Sequence, residues 1–231
     1  MSKRWLLFSI GSFFFIQFIL FSYVVHKDVF TTIDFDTTVI LQDNVSRRFD
    51  KIFSFFSDFG KFEVMTLALL LIIASVRKVF AGLWVLSLYV GFHVIELFGK
   101  FYVNHPPPAE FMLRTERIIN FPQFHVRSEY SYPSGHSGRA MFVSLLILLL
   151  LWRTKRIPVW GKLAVTLVLL GYDGVMLSSR VVMGEHWMTD VIGGTLLGIA
   201  LAFYAGILYY PAQRKKTHTA DSAVSEHHRD E

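Results

Sequence analysis

Residues 5–25 read WLLFSIGSFFFIQFILFSYVV, a run of 21 without one charged side chain. At about 1.5 Å per residue such a helix covers the roughly 30 Å hydrocarbon core of a bilayer. Lys3 and Arg4 precede it, and the stretch around Ser22–Lys27 offers no small-residue cleavage site. A retained span is therefore expected rather than a cleaved signal. Outward from this run, further apolar stretches fall near residues 59–76, 79–101, 137–152, 160–182 and 191–211. The expected fold is all-α, a six-transmembrane-helix bundle occupying residues 1–211, with a disordered tail at 212–231.

Two of these stretches are imperfect. Only residues 64–76 are uncharged in the second, 13 residues or about 20 Å of helix, so it spans only if Lys61 and Glu63 lie at the interface with Lys61 snorkelling. Arg139 and Asp173 fall inside the fourth and fifth and must face protein or water. Composition agrees with a membrane chain. Of 231 residues 53% are hydrophobic and 18% charged, against about 25% charged in ordinary soluble domains. Cysteine is absent, which removes disulfide scaffolds, thiol nucleophiles, Cys-ligated zinc and iron–sulfur clusters.

The net charge of +5 does not describe a nucleic-acid surface. With six spans both termini share a side, and Arg77-Lys78, Arg153-Thr154-Lys155-Arg156 and Arg214-Lys215-Lys216 make every short connection on that side basic. The positive-inside rule then places both termini in the cytoplasm and segments 27–60 and 102–136 outside it. Within the first segment Phe49, Ile52, Phe53, Phe56 and Phe59 recur at helical spacing, reading as a helix in the interface plane or packed on the bundle. Gly194 and Gly198 permit close helix approach within the bundle. In the tail, His227-His228 reads as solvated chain rather than a metal site. No internal repeat is present.

This topology brings three polar clusters to one membrane face: residues 100–108, 133–136 and 179–190. His186 and Asp190 are i, i+4 at the start of the last span, so the carboxylate can accept the imidazole Nδ1–H and leave Nε2 as nucleophile or base. The start of that helix also favours anions. Gly135 allows close backbone approach, Ser134 can donate a hydrogen bond, and His136 stands where the next helix opens. Lys100 and Arg180 add positive charge. The set describes a phosphate site with one histidine to attack and another to move protons. Each feature also has a plainer reading: interfacial structural histidines, a Ser-Gly helix cap, an arginine anchor, or two His and one Asp holding a metal.

Taken together, Pro133-Ser134-Gly135-His136 and Ser179-Arg180…His186…Asp190 resemble two motifs of the type 2 phosphatidic acid phosphatase superfamily, PSGH and SR-x5-H-x3-D. The first family motif, K-x6-RP, is only partly kept. Lys100 and Pro108 match, but Pro107 stands where the family has Arg. Arg139 or His105 is a candidate to supply the missing cation. The resemblance implies a membrane lipid phosphatase with its active site at the extracytoplasmic face. His186 would be the nucleophile, Asp190 its orienting partner and His136 the general acid and base, with Lys100, Ser134, Gly135, Ser179 and Arg180 holding phosphate oxygens.

The family's scheme needs no cofactor and no metal. It implies a phospholipid or polyprenyl phosphate substrate in the bilayer, with phosphatidylglycerophosphate first and undecaprenyl diphosphate as the alternative, and a monomer suffices. An inactive lipid-binding or transport protein is the rival from another class, prompted by Pro107. Two residues outside the motifs are expected to support the site. Glu96, four residues before Lys100, would fix that lysine's direction. Asp173 lies on the same face as Arg180 two turns deeper and reads first as a structural partner.

Overall fold

A computed structural model describes residues 2–114 and 129–210. The disordered tail expected at 212–231, its histidine pair, and part of the 102–136 segment lie outside the described residues. The elements are α1 (Lys3–His26), α2 (Thr31–Asn44), α3 (Asp50–Asp58), α4 (Phe62–Val76), α5 (Val79–Val103), α6 (Gly135–Arg153), α7 (Val159–Val182) and α8 (Met188–Gly206), with three short 3-10 turns. No strand occurs among the described residues.

α8 is the central helix, packed mainly against α6 and α1 and also against α5. Its small residues make that position possible. A Cβ built on Gly198 would fall on the Gly138 carbonyl oxygen, with the Gly138 Cα 3.2 Å away, so the α6 and α8 backbones touch. Gly194 meets the Ser134 carbonyl in the same way. This is the close approach expected of Gly194 and Gly198. Leu69, Val85, Phe92, Phe142, Leu146, Met176 and Leu197 are fully buried around the contact. Large apolar side chains on the outer faces, among them Phe13, Ile16 and Leu20 of α1, Phe98 of α5 and Val168 of α7, are more than half exposed. A soluble monomer does not carry so much exposed apolar surface, whereas lipid covers it here. The chain is an integral membrane protein.

Among the described residues five helices are long and apolar enough to cross a membrane: Lys3–His26, Val79–Val103, Gly135–Arg153, Val159–Val182 and Met188–Tyr209. The sixth candidate crossing differs from a single helix over 59–76 and counts as one only if a bent pair is taken as one span. It is a pair, Arg47–Asp58 and Phe62–Val76, bent by 46° at the intervening break. Lys61 does not snorkel outward. It occupies the N-cap of α4 in extended conformation, 13% exposed, and pairs with Asp58 at 2.7 Å. The adjoining Gly60 carbonyl accepts from Arg139 Nε at 3.3 Å. The bend is therefore held by charge inside the protein.

α3 is the helix expected from the phenylalanine spacing, and it packs against α7. Its buried residues are Asp50, Ser54 and Ser57, while Ile52, Phe55 and Phe59 are exposed. The polar face turns inward because the neighbouring ends of α7 and α8 are themselves polar.

α2 has no counterpart in the sequence reading. It lacks an apolar stripe and buries Asp34 and Thr38 instead. Gln42 Nε2 donates to the carbonyls of Met112 (2.8 Å) and Val182 (2.9 Å), and Arg114 reaches back to the carbonyls of Gln42 and Val45. Hydrogen bonds rather than apolar burial fasten α2 across this end of the bundle.

Candidate active site

Alternating helix directions bring the C-terminal ends of α5 and α7 and the N-terminal ends of α6 and α8 to one end of the bundle. The three polar clusters meet there. α5 stops at Asn104, whose left-handed backbone (φ 55°) asparagine tolerates better than most residues. Pro106, Pro107 and Pro108 then prevent the helix from resuming. His105 leaves the helix axis at this stop and is buried against the start of α8.

α7 ends in a tight reversal. Gly184 has φ +67°, and a Cβ there would collide with the Met112 carbonyl, so a glycine is required on both counts. The amides of Glu185 and His186 both donate to the Arg180 carbonyl at 3.1 Å, which folds the loop over the helix end. Trp187 is the N-cap of α8. Its amide donates to Asp190 Oδ2 at 3.0 Å, so Asp190 caps its own helix.

The same Asp190 oxygen accepts from His186 Nδ1 at 3.3 Å, the dyad expected from the i, i+4 spacing. Oδ1 of Asp190 accepts from His105 Nδ1 at 2.8 Å. Asp190 is fully buried and His186 is 13% exposed, so the carboxylate lies inside and the imidazole at the opening. The Asp190 main-chain carbonyl accepts from the Ser134 amide at 2.9 Å, tying the start of α6 to the dyad.

His136 follows in the first turn of α6, with Gly60 packed on its ring at 3.2 Å from Cδ2 for a built Cβ. Arg180, Arg139, His186 and Lys61 are the titratable groups near enough to act on it, so the two candidate histidines lie within electrostatic reach of each other.

The remaining expected residues are placed as follows. Ser134 caps α6: its Oγ accepts from the Ser137 amide (3.4 Å) and from Ser137 Oγ (3.0 Å), the plainer of the two readings of Ser-Gly. The open side of Gly135 is filled by the Glu96 carboxyl and by Arg139 Nη1, which a Cβ would approach to 2.7 Å. Ser179 Oγ donates within its helix to the Met176 carbonyl at 2.6 Å. Arg180 is fully buried, its Nη1 2.5 Å from Glu185 Oε2 and its Nη2 on Ser57 Oγ. Lys100 Nζ donates to the Ser131 carbonyl at 3.4 Å.

Three supporting expectations change. Glu96 binds His93 (3.2 Å) and Arg139 (3.4 Å) rather than Lys100, on which it acts only through its charge. Arg139, 7% exposed, is occupied by Glu96 and the Gly60 carbonyl. His105, 6% exposed, points at Asp190 rather than outward. Neither stands as a free substitute for the arginine that Pro107 replaces. Asp173 accepts from Ser144 Oγ at 2.9 Å, a structural pairing of α7 with α6.

Several residues escaped the sequence reading. Asp34 accepts from the Thr189 amide (2.9 Å) and from Thr189 Oγ1 (2.6 Å), and lies 3.7 Å from His105 Nε2. Burial pushes its carboxyl above the ordinary range despite those bonds. Burial opposes the charge on His105, but the Asp190 hydrogen bond and the carboxylates of Asp190, Asp34 and Asp28 outweigh it and hold that imidazole above its usual value. Ser57 and Glu185 complete the surroundings of Arg180. Only Glu185, inside the third motif, carried a signal in sequence. Among the described residues no group of three or more His, Cys, Asp and Glu side chains is arranged to hold a metal ion.

This geometry agrees with the comparisons to known proteins. The family model described as the PAP2 superfamily matches residues 64–216, and the chain belongs to that superfamily. An undecaprenyl-diphosphatase of Sulfolobus acidocaldarius is 34% identical over 152 residues, 64% of this chain and 65% of that one. A phosphatidylglycerophosphatase B of Escherichia coli is 35% identical over 91 residues, 37% of this chain and 34% of that one. The chain thus spans just under two thirds of the first relative and about a third of the second. Among solved structures, the PAP2-type phosphatidylglycerolphosphate phosphatase of Bacillus subtilis superimposes with a TM-score of 0.70 at 21% identity, over 85% of this chain and 94% of that one. Aquifex aeolicus LpxE gives 0.55 at 18% identity, over 76% and 94%. These two likenesses concern the fold.

Proposed function

We propose that the chain is a membrane lipid phosphatase that hydrolyses phosphatidylglycerophosphate to phosphatidylglycerol and phosphate through a phosphohistidine. The carrying observation is the Asp190–His186 pair at the opening of a buried polar cluster, with His136 within electrostatic reach. His186 Nε2 attacks phosphorus. The bond from phosphorus to the lipid oxygen breaks, and that oxygen takes a proton from His136. A water molecule then gives a proton to His136 and attacks the phosphohistidine, the P–N bond breaks, and inorganic phosphate leaves.

Asp190 orients His186 and stabilises its positive charge while it carries the phosphoryl group. Phosphoryl transfer draws chiefly on positioning and on charge that matches the equatorial oxygens. Lys100, Arg180, Ser134, Ser179 and the Gly135 amide have the chemistry for that role, and Arg180 would have to exchange its contact with Glu185 for phosphate. Both termini are proposed to be cytoplasmic, with the site on the outer face, as the basic connections indicate.

A second substrate has specific support. A relative that matches 64% of this chain is named undecaprenyl-diphosphatase, and polyprenyl diphosphate presents the same anionic phosphate at the interface. The test is phosphate release by purified protein in detergent with EDTA present, from phosphatidylglycerophosphate, undecaprenyl diphosphate and phosphatidic acid side by side. The proposal expects turnover that survives EDTA and is highest on phosphatidylglycerophosphate. A preference for undecaprenyl diphosphate selects the second reading. Activity lost in EDTA and restored by Zn²⁺ overturns the metal-independent mechanism, and no release from any of the three overturns the phosphatase assignment.

A further inference from the structure

Asp190 is held from two sides. Oδ2 faces His186 and the Trp187 amide, and Oδ1 faces His105 at 2.8 Å. The His105 ring is itself wedged. Its far nitrogen, Nε2, lies 3.7 Å from Asp34 Oδ2, and Asp34 is fixed to the first turn of α8 by two hydrogen bonds from Thr189. Asp34, His105 and Asp190 are all less than a tenth exposed. Three separate segments contribute to these contacts: α2, the proline-stopped end of α5, and α8.

A carboxylate free to rotate about χ2 would present its oxygens to His186 in varying geometry. One pinned at its second oxygen cannot. We propose that His105 is a positioning residue, which with Asp34 behind it locks the Asp190 carboxylate so that its other oxygen aims His186 at the phosphoryl group. This deepens the proposed reaction and rests on His186 being its nucleophile. It also gives a role to the segment in which Pro107 replaces the family's arginine: the positive group there addresses the catalytic carboxylate rather than the phosphate. Lys100 of α5 and Tyr132 are the other titratable groups within electrostatic reach of Asp190, and Asp28 is the third carboxylate acting on His105.

The two ring nitrogens allow a test by position. Asparagine places its amide N–H near the site of Nδ1, facing Asp190, and glutamine places it near Nε2, facing Asp34. Full-length His105→Asn, His105→Gln and His105→Leu are purified in detergent and assayed for kcat and KM on phosphatidylglycerophosphate, with His186→Ala alongside. His105→Leu and His105→Gln are expected to lose on the order of 10–100-fold in kcat, with KM changed by less than about threefold. His105→Asn is expected to recover most of that loss. In an Asp190→Ala background His105→Leu should cost nothing further, because its effect passes through Asp190.

Wild-type kcat in both His105→Leu and His105→Gln overturns the proposal, as does a raised KM at unchanged kcat, the signature of a phosphate contact. His105→Gln matching or exceeding His105→Asn overturns it too, and this comparison holds even if the leucine variant fails to fold. His186→Ala reports on the underlying reaction separately. Full turnover there removes the nucleophile assignment, whereas an inactive His186→Ala beside normal His105 variants removes this inference alone.

Discussion

Asp190 takes part in three interactions at once: it caps α8, holds His186 and accepts from His105. Asp190→Asn keeps the shape but turns half of the carboxylate into a donor, and kcat should fall on the order of 10⁴-fold, as when the carboxylate partner of a catalytic histidine is neutralised. His105 also makes stability depend on pH. Its folded value is raised above about 6.5, so the stability it contributes is full below that pH and is lost as pH rises through the raised value. In thermal denaturation across pH 6–9, the Tm advantage of wild type over His105→Asn should shrink as pH rises. A constant difference would mean that His105 carries no extra charge in the folded state. His186 and Asp190 were legible as a pair from their spacing, although the contact arises differently: His186 sits in the loop just before the N-cap Trp187, and Asp190 meets it from the first turn of α8 while capping that helix. His105 was legible as a basic group near the site, but its direction was not, because it depends on where Asn104 ends α5. Asp34 was not legible, since its partners are Thr189 and His105, more than 70 residues away.

At the scale of elements, charge and small residues shape the bundle more than the apolar runs suggest. The spans were readable from length and hydropathy to within a few residues, except the one interrupted by Gly60-Lys61. There the break is stabilised by Asp58 and Arg139, contacts that a window of hydropathy does not see. α3 was readable as a helix, and of its two readings the exposed Phe49, Ile52 and Phe59 and the buried Asp50, Ser54 and Ser57 fit a helix whose apolar stripe faces lipid. α2 was missed because hydrogen bonds rather than an apolar face hold it. Two substitutions test this packing. Gly198→Val drives a side chain into the α6 backbone and should cost about 1–3 kcal/mol. Gly184→Ala meets both the Met112 carbonyl and a disfavoured φ, and should also cost about 1–3 kcal/mol. Both are measured by thermal denaturation in detergent, and an unchanged Tm in either would contradict the contact described for it.

For the whole molecule, the fold delivers four helix ends and their polar residues to one end of a lipid-covered bundle. That the three polar clusters meet at one end was legible from short motifs and alternating topology, whereas the hydrogen bonds inside them required the packed structure. Orientation is testable without any assay of activity. A reporter that works only outside the cytoplasm, fused after residue 214, should be inactive, and an active fusion would invert the topology. The central claim is that His186, aimed by Asp190, accepts the phosphoryl group. The most direct measurement is brief incubation with substrate labelled with ³²P in its terminal phosphate, followed by an alkaline quench that preserves phosphohistidine and by peptide mapping. Label is expected on the peptide bearing His186, absent in His186→Ala and longer-lived in His136→Ala, which lacks the base for hydrolysis. Label on a different residue, or undiminished phosphate release by His186→Ala, would contradict the claim.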